Sequence, residues 1–118
     1  MKYRIEKHDG TVVASRIDLA DSFLSRFFGL MGKPALGPEE GLLLLNCSSI
    51  HCCFMRFSID AVYLDRAMKI VGMETVNPWR LGHFFRGARH VLELPAGRAG
   101  GLFPGDTLSI SEVRENNE

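Results

Sequence analysis

Two carboxylates stand in apolar runs that do not need them for packing. Asp60 follows Phe54-Met55-Arg56-Phe57-Ser58-Ile59 and precedes Ala61-Val62-Tyr63-Leu64. Glu93 interrupts Val91-Leu92-Glu93-Leu94, where the alternation of a strand sets it opposite its leucine neighbours. A carboxylate in an apolar strand is strongly disfavoured unless a cation or hydrogen-bond donor meets it. The cations available are Arg26, Arg56 and the group Arg80, Arg86 and Arg89. Two carboxylates and an arginine can move protons or grip a ligand, and the same groups can simply pin a strand to a loop.

The segment Cys47-Ser48-Ser49-Ile50-His51-Cys52-Cys53 carries thiols and an imidazole, the ligands zinc prefers. Its spacing is wrong for a closed site: in an extended chain Cys47 and His51 stand about 13 Å apart. His51 and Cys53 share a face, but two ligands do not complete a metal centre, so no metal is expected. A reactive Cys–His pair there lacks a third, orienting residue. Buried thiols acting as small hydrophobes fit the segment better.

A third cluster, Trp79-Arg80-Leu81-Gly82-His83-Phe84-Phe85-Arg86, mixes aromatics with arginines. That mixture occurs where single-stranded nucleic acid or anions bind. The whole chain, however, carries 14 Lys and Arg against 14 Asp and Glu. A phosphate-backbone binder needs a cationic surplus, so nucleic acid is not expected as the partner. The expectation is a loop anchored over the sheet by Trp79 and Phe84.

These residues need a scaffold, and 118 residues suffice for one domain with its own core, taken as 1–118. Tyr3–Glu6 and Thr11–Ser15 alternate about His8-Asp9-Gly10, a hairpin signal because glycine takes the positive φ of the turn. A helix is predicted from about Leu19 to Met31, capped by Asp18 or Asp21 and stopped by Gly32 and Pro34, with Phe23, Phe27, Leu30 and Met31 on one face. Arg26 lies off that stripe. Strands are predicted at 41–47, 50–55, 59–64, 69–76, 90–94 and 107–113, with 79–89 a loop of functional interest. The predicted class is mostly β (α+β): a small antiparallel barrel or bent sheet of about seven short strands with one main helix. The longest apolar run, Leu42–Leu45, is far short of the ~20 residues a bilayer span requires. The charged N-terminal residues do not form a signal peptide, and three cysteines fit a reducing compartment. The reading is cytoplasmic, with no membrane association.

Several runs together resemble the uncharacterised, conserved bacterial family called domain of unknown function 192. They are Arg26-Phe27-Phe28-Gly29-Leu30-Met31-Gly32, Gly41-Leu42-Leu43-Leu44, Ile50-His51 leading into Phe54-Met55-Arg56, Ile59-Asp60, and Tyr63-Leu64-Asp65. Asn77-Pro78-Trp79, Val91-Leu92-Glu93-Leu94-Pro95-Ala96-Gly97 and Gly105-Asp106 follow in order, so the likeness covers about residues 12 to 113. It implies a β-rich, barrel-like domain with one helix, and hallmark positions at Arg26, Met55, Arg56, Asp60, Glu93, Gly97, Gly105 and Asp106. The chain departs from the pattern after Ile50-His51, where Cys52-Cys53 replace an expected threonine and aromatic. The resemblance implies an export signal in many relatives, whereas none is expected from the N-terminal residues here. The resemblance brings no activity with it.

The expected function is a non-enzymatic module that binds an unknown small ligand or protein, without a cofactor. Its contacts would come from Arg26, Met55, Arg56, Asp60 and Glu93, with Trp79 and the 79–89 loop as rim. Two rivals remain. One is an acid/base hydrolase using Asp60 and Glu93, which requires the two carboxyls within about 10 Å of each other in one cleft. The other gives the cluster a structural role alone.

Overall fold

In the computed structural model of the chain, residues 2–20, 36–48 and 57–113 are described. They form seven strands: β1 (Lys2–Lys7), β2 (Val12–Ala20), β3 (Glu40–Leu44), β4 (Ile59–Leu64), β5 (Ile70–Val76), β6 (His90–Pro95) and β7 (Leu108–Val113). All lie in one sheet, in the order β5-β4-β6-β3-β2-β1-β7.

The N-terminal hairpin forms where the alternation places it. Gly10 takes φ 91 and donates to the Lys7 carbonyl at 2.9 Å, while the Asp9 carboxylate accepts from the Thr11 amide at 2.9 Å. At the centre of the sheet the alternation disappears. All six residues of β4 are buried, as are Val91–Leu94 of β6, because apolar side chains cover both faces there. One face gathers Ile5, Ile17, Leu43, Val62, Leu92, Leu94 and Leu102. The other gathers Ala20, Leu42, Leu44, Ile59, Tyr63 and Val91, with Phe57 and Phe85 packed against them.

Two sequence-based expectations need correction. The predicted helix was to begin at Leu19, but β2 runs on through Ala20, and Leu19 and Ala20 pair in parallel with Leu43 and Leu44. Pairing with the leucine strand overrides the capping signal of Asp18. The rest of that helix, residues 21–31, lies outside the described residues, as does the strand predicted at 50–55. Over the described residues the class is therefore all-β, not α+β. The second correction concerns the antiparallel barrel. The β2–β3 pair is parallel, and the sheet stays open, with β5 and β7 at its two edges. Among the described residues the two edges meet at one end, through a Lys69–Thr107 bridge with Ile70 donating to the Asp106 carbonyl at 2.8 Å. Strand number and length are the same in an open sheet and a closed one, so the sequence pattern does not separate them.

Candidate functional site

Register decides which of the predicted site residues can meet. On β4, Asp60 lies opposite Leu94 of β6, and Ala61 lies opposite Glu93. Directly opposed residues share a face and successive residues alternate. Asp60 and Glu93 therefore point to opposite faces of the sheet. The carboxyls do not share a cleft, and the two-carboxylate hydrolase loses its geometry.

Asp60 is 7% exposed and, among the described residues, is met by three neutral donors. Thr75 Oγ1, from the paired position on β5, donates to Oδ1 at 2.7 Å. The amides of Gly97 and Ala99 donate to Oδ2 at 2.9 and 3.1 Å. The turn after β6 is thereby fixed with Gly97 at φ 92, a value side chains resist. A cavity of about 260 Å³ opens beside this turn, lined by Asp60, Met73, Thr75, Gly97 and Ala99 among others. The guanidinium partner expected for Asp60 is not found among the described residues.

Glu93 is 5% exposed, between Leu42 of β3 and Ala61 of β4 on the other face. Burial pushes its carboxyl up to about 8, so it is largely protonated at neutral pH. Among the described residues no arginine meets Glu93, and the candidates Arg26 and Arg56 are not among them. Arg26, Met55 and Arg56, and with them His51, Cys52 and Cys53, lie outside the described residues. Cys47 is half-buried.

On the Glu93 face, β4 and β5 also position a polar group that the sequence did not single out. Glu74 pairs with Ala61 across the strands and so shares this face. Its carboxylate accepts from the Tyr63 hydroxyl at 2.7 Å and from the His83 amide at 2.7 Å, and it meets His83 Nδ1 at 2.5 Å. Burial alone would raise the Glu74 carboxyl, but the hydrogen bonds from His83 and Tyr63 outweigh it and hold the group below its ordinary value. Beside this contact Phe85 packs on Tyr63, ring centroids 4.6 Å apart. The ring fills the space over Gly72, where a Cβ would collide with it. A pair of bonds closes the far end of the loop: the Arg89 amide donates to the Leu64 carbonyl at 2.7 Å, and the Cys47 amide donates to the Arg89 carbonyl at 2.9 Å.

The loop from Asn77 to Arg89 is thus held at Glu74, Tyr63, Gly72 and Leu64. The anchors are His83 and Phe85, not Trp79 and Phe84 as the sequence suggested. Trp79 is 65% exposed, Leu81 74% and Phe84 77%, the three most exposed large apolar side chains among the described residues. Trp79 occupies the third position of a turn closed by Arg80 N donating to Asn77 O at 3.2 Å, with φ 68. A bulky side chain in the left-handed region is an outlier of the kind that gathers at functional sites. Arg80, Arg86 and Arg89 are exposed between the apolar groups, and no Asp or Glu occurs between Glu74 and Glu93. The mixture of aromatics and arginines marks this loop in the sequence, and the acid-free stretch adds to that signal; the anchors could not be read, because they depend on pairing across the sheet.

The family model DUF192, described as "Uncharacterized ACR", matches residues 4–110. A UPF0127 protein of Thermococcus sibiricus is 37% identical over 98 residues, covering 79% of this chain and 63% of that protein. The chain thus spans less than two-thirds of that relative's length. A UPF0127 protein of Thermococcus gammatolerans is 33% identical over 122 residues, covering 96% of this chain and 79% of its own. These relatives are archaeal, so they do not support the expectation of a bacterial family. Among solved structures, a Sinorhizobium meliloti protein provisionally described as a transcription regulator superposes with a TM-score of 0.77 at 23% identity, covering 91% of this chain and 90% of that one. That likeness establishes the fold alone. Among the described residues no helix is long and apolar enough to cross a membrane.

Proposed function

The chain belongs to the DUF192 family, whose function is uncharacterised, and on that premise we propose that it is a non-catalytic binding module. Its contact surface is the anchored loop at 77–89, and its ligand is amphipathic and anionic. The observation that carries this reading is the joint placement of Trp79, Leu81 and Phe84, each about two-thirds exposed or more, on a loop fixed to the sheet by His83 and Phe85. Exposed apolar groups gathered in this way mark interaction sites. Arg80, Arg86 and Arg89, with no acid among them, favour a negatively charged ligand. Asp60 supports a structural role, since three donors already occupy its oxygens.

The anionic aromatic dye 1-anilinonaphthalene-8-sulfonate tests the reading. Trp79 is the single tryptophan, so energy transfer from it reports binding at the loop. The folded protein should bind the dye with transfer from Trp79, and Leu81→Ser/Phe84→Ser should bind at least roughly five-fold more weakly, the loss of buried apolar area. Equal binding by both proteins, or no transfer in either, would refute the assignment.

A further inference from the structure

We infer that the ligand of this loop is the surface of an anionic lipid bilayer, which the protein meets peripherally with Trp79, Leu81 and Phe84 inserted and its arginines among the headgroups. The inference rests on the loop being the binding surface, and names what covers it.

The kind of surface follows from area, residue type and charge. The three side chains together expose on the order of 400 Å² of apolar surface, taking ~200 Å² for a large side chain. A stable protein interface needs about 800 Å² on each partner, so the patch is small for a folded protein. A bilayer sets no such requirement, because it receives protruding apolar groups one by one and supplies charge around them. Trp79 has the side chain most at home at the interface, and the alternation Trp79-Arg80-Leu81 sets a cation directly beside the apolar groups. Leu81, 74% exposed, offers no face on which a nucleic-acid base can stack, but suits an acyl chain. The charge pattern agrees: Arg80, Arg86 and Arg89 are exposed, and the nearest acid in sequence before them, Glu74, is held by His83 and Tyr63. Asp65, which precedes the Leu64–Arg89 contact, bears on the Arg89 end of the loop and leaves Arg80 and Arg86 as the main headgroup contacts. The anchors also matter. A loop already fixed by Phe85 against Tyr63 and by His83 against Glu74 loses little freedom on docking.

The full chain is mixed with extruded vesicles of phosphatidylcholine alone, or with about 30 mol% phosphatidylserine, and read by co-sedimentation and Trp79 emission. The expected result is a blue shift of Trp79 and at least roughly ten-fold tighter binding to the anionic vesicles, weakened by salt. Arg80→Gln/Arg86→Gln should abolish that preference, at roughly five-fold per arginine. Leu81→Ser/Phe84→Ser should lose binding while melting at the wild-type temperature. Absence of binding to either vesicle, in a protein that still binds the dye through Trp79, overturns the lipid assignment and leaves the loop as a binding surface. Loss of both overturns the two together. A thymidine oligomer or an acidic phenylalanine-bearing peptide that shifts Trp79 when vesicles do not also overturns it, in favour of that class of partner.

Discussion

The Phe85 ring stands 4.6 Å from the Tyr63 ring, with an interplanar angle of 36°, over the bare backbone of Gly72. The arrangement ties an exposed loop to the most buried strand of the sheet. Gly72 is itself buried and sits opposite Tyr63 in the β4–β5 ladder, so the missing side chain and the ring are complementary.

Gly72→Ala should therefore act at a distance. The new methyl group meets Phe85 and must displace the ring, costing about 1–3 kcal/mol of stability. Trp79 should become more mobile, and dye binding weaker. Chemical denaturation and Trp79 anisotropy check the two effects; an alanine variant with wild-type stability and anisotropy would mean that the ring does not hold the loop.

Asp60 makes the opposite prediction. Asp60→Ala leaves the Gly97 and Ala99 amides and the Thr75 hydroxyl without their acceptor. Urea unfolding should show a loss of about 3–5 kcal/mol. Below the denaturation midpoint, dye binding at the loop should be unchanged. A stable variant that has lost binding would move the site to the cavity beside Asp60.

Glu93 predicts a pH dependence. Its native carboxyl keeps a proton up to about 8, while the unfolded one releases it near its ordinary value of 4.5. The folded state thus binds more protons between those two values, and stability falls as pH rises through that window. Glu93→Gln cannot ionise. Relative to wild type it should gain up to about 1.4 kcal/mol per pH unit from the lower value to the upper, then level off. Parallel stability profiles for the two proteins from acid to mildly alkaline pH would show that Glu93 is ionised in the native state.

Glu74 runs the other way. Its native carboxyl lies below its ordinary value, so the stability it contributes is present above the unfolded value near 4.5 and is lost as pH falls through the native one. The His83 contact should loosen on acidification, with Trp79 becoming more accessible to acrylamide. In Glu74→Gln, accessibility should be raised at neutral pH and insensitive to acid over the same range. Quenching that is equal in both proteins at every pH would show that Glu74 does not anchor the loop.

Much of the sheet was legible because its signals are local. The Asp9-Gly10 turn, the leucine run of β3 and the apolar β4 and β6 each announce themselves within a few residues. The presence of buried acids at positions 60 and 93 was equally plain, since both interrupt apolar runs. Their opposite orientation was not, because it depends on the β4–β6 register, and a shift of one residue would exchange the faces. Nor were their surroundings among the described residues: Asp60 recruits amides from a turn distant in sequence, and burial raises the Glu93 carboxyl. The same limit explains the exchange of Phe84 for Phe85. Two adjacent phenylalanines look alike until the vacancy over Gly72, on another strand, selects one of them.

Hydrogen–deuterium exchange of the intact protein with and without the naphthalene dye locates the binding surface directly. Added protection is expected within residues 77–89, with exchange at the turn 95–102 unchanged. Protection at that turn, beside Asp60, with the 77–89 loop unaffected, would contradict it.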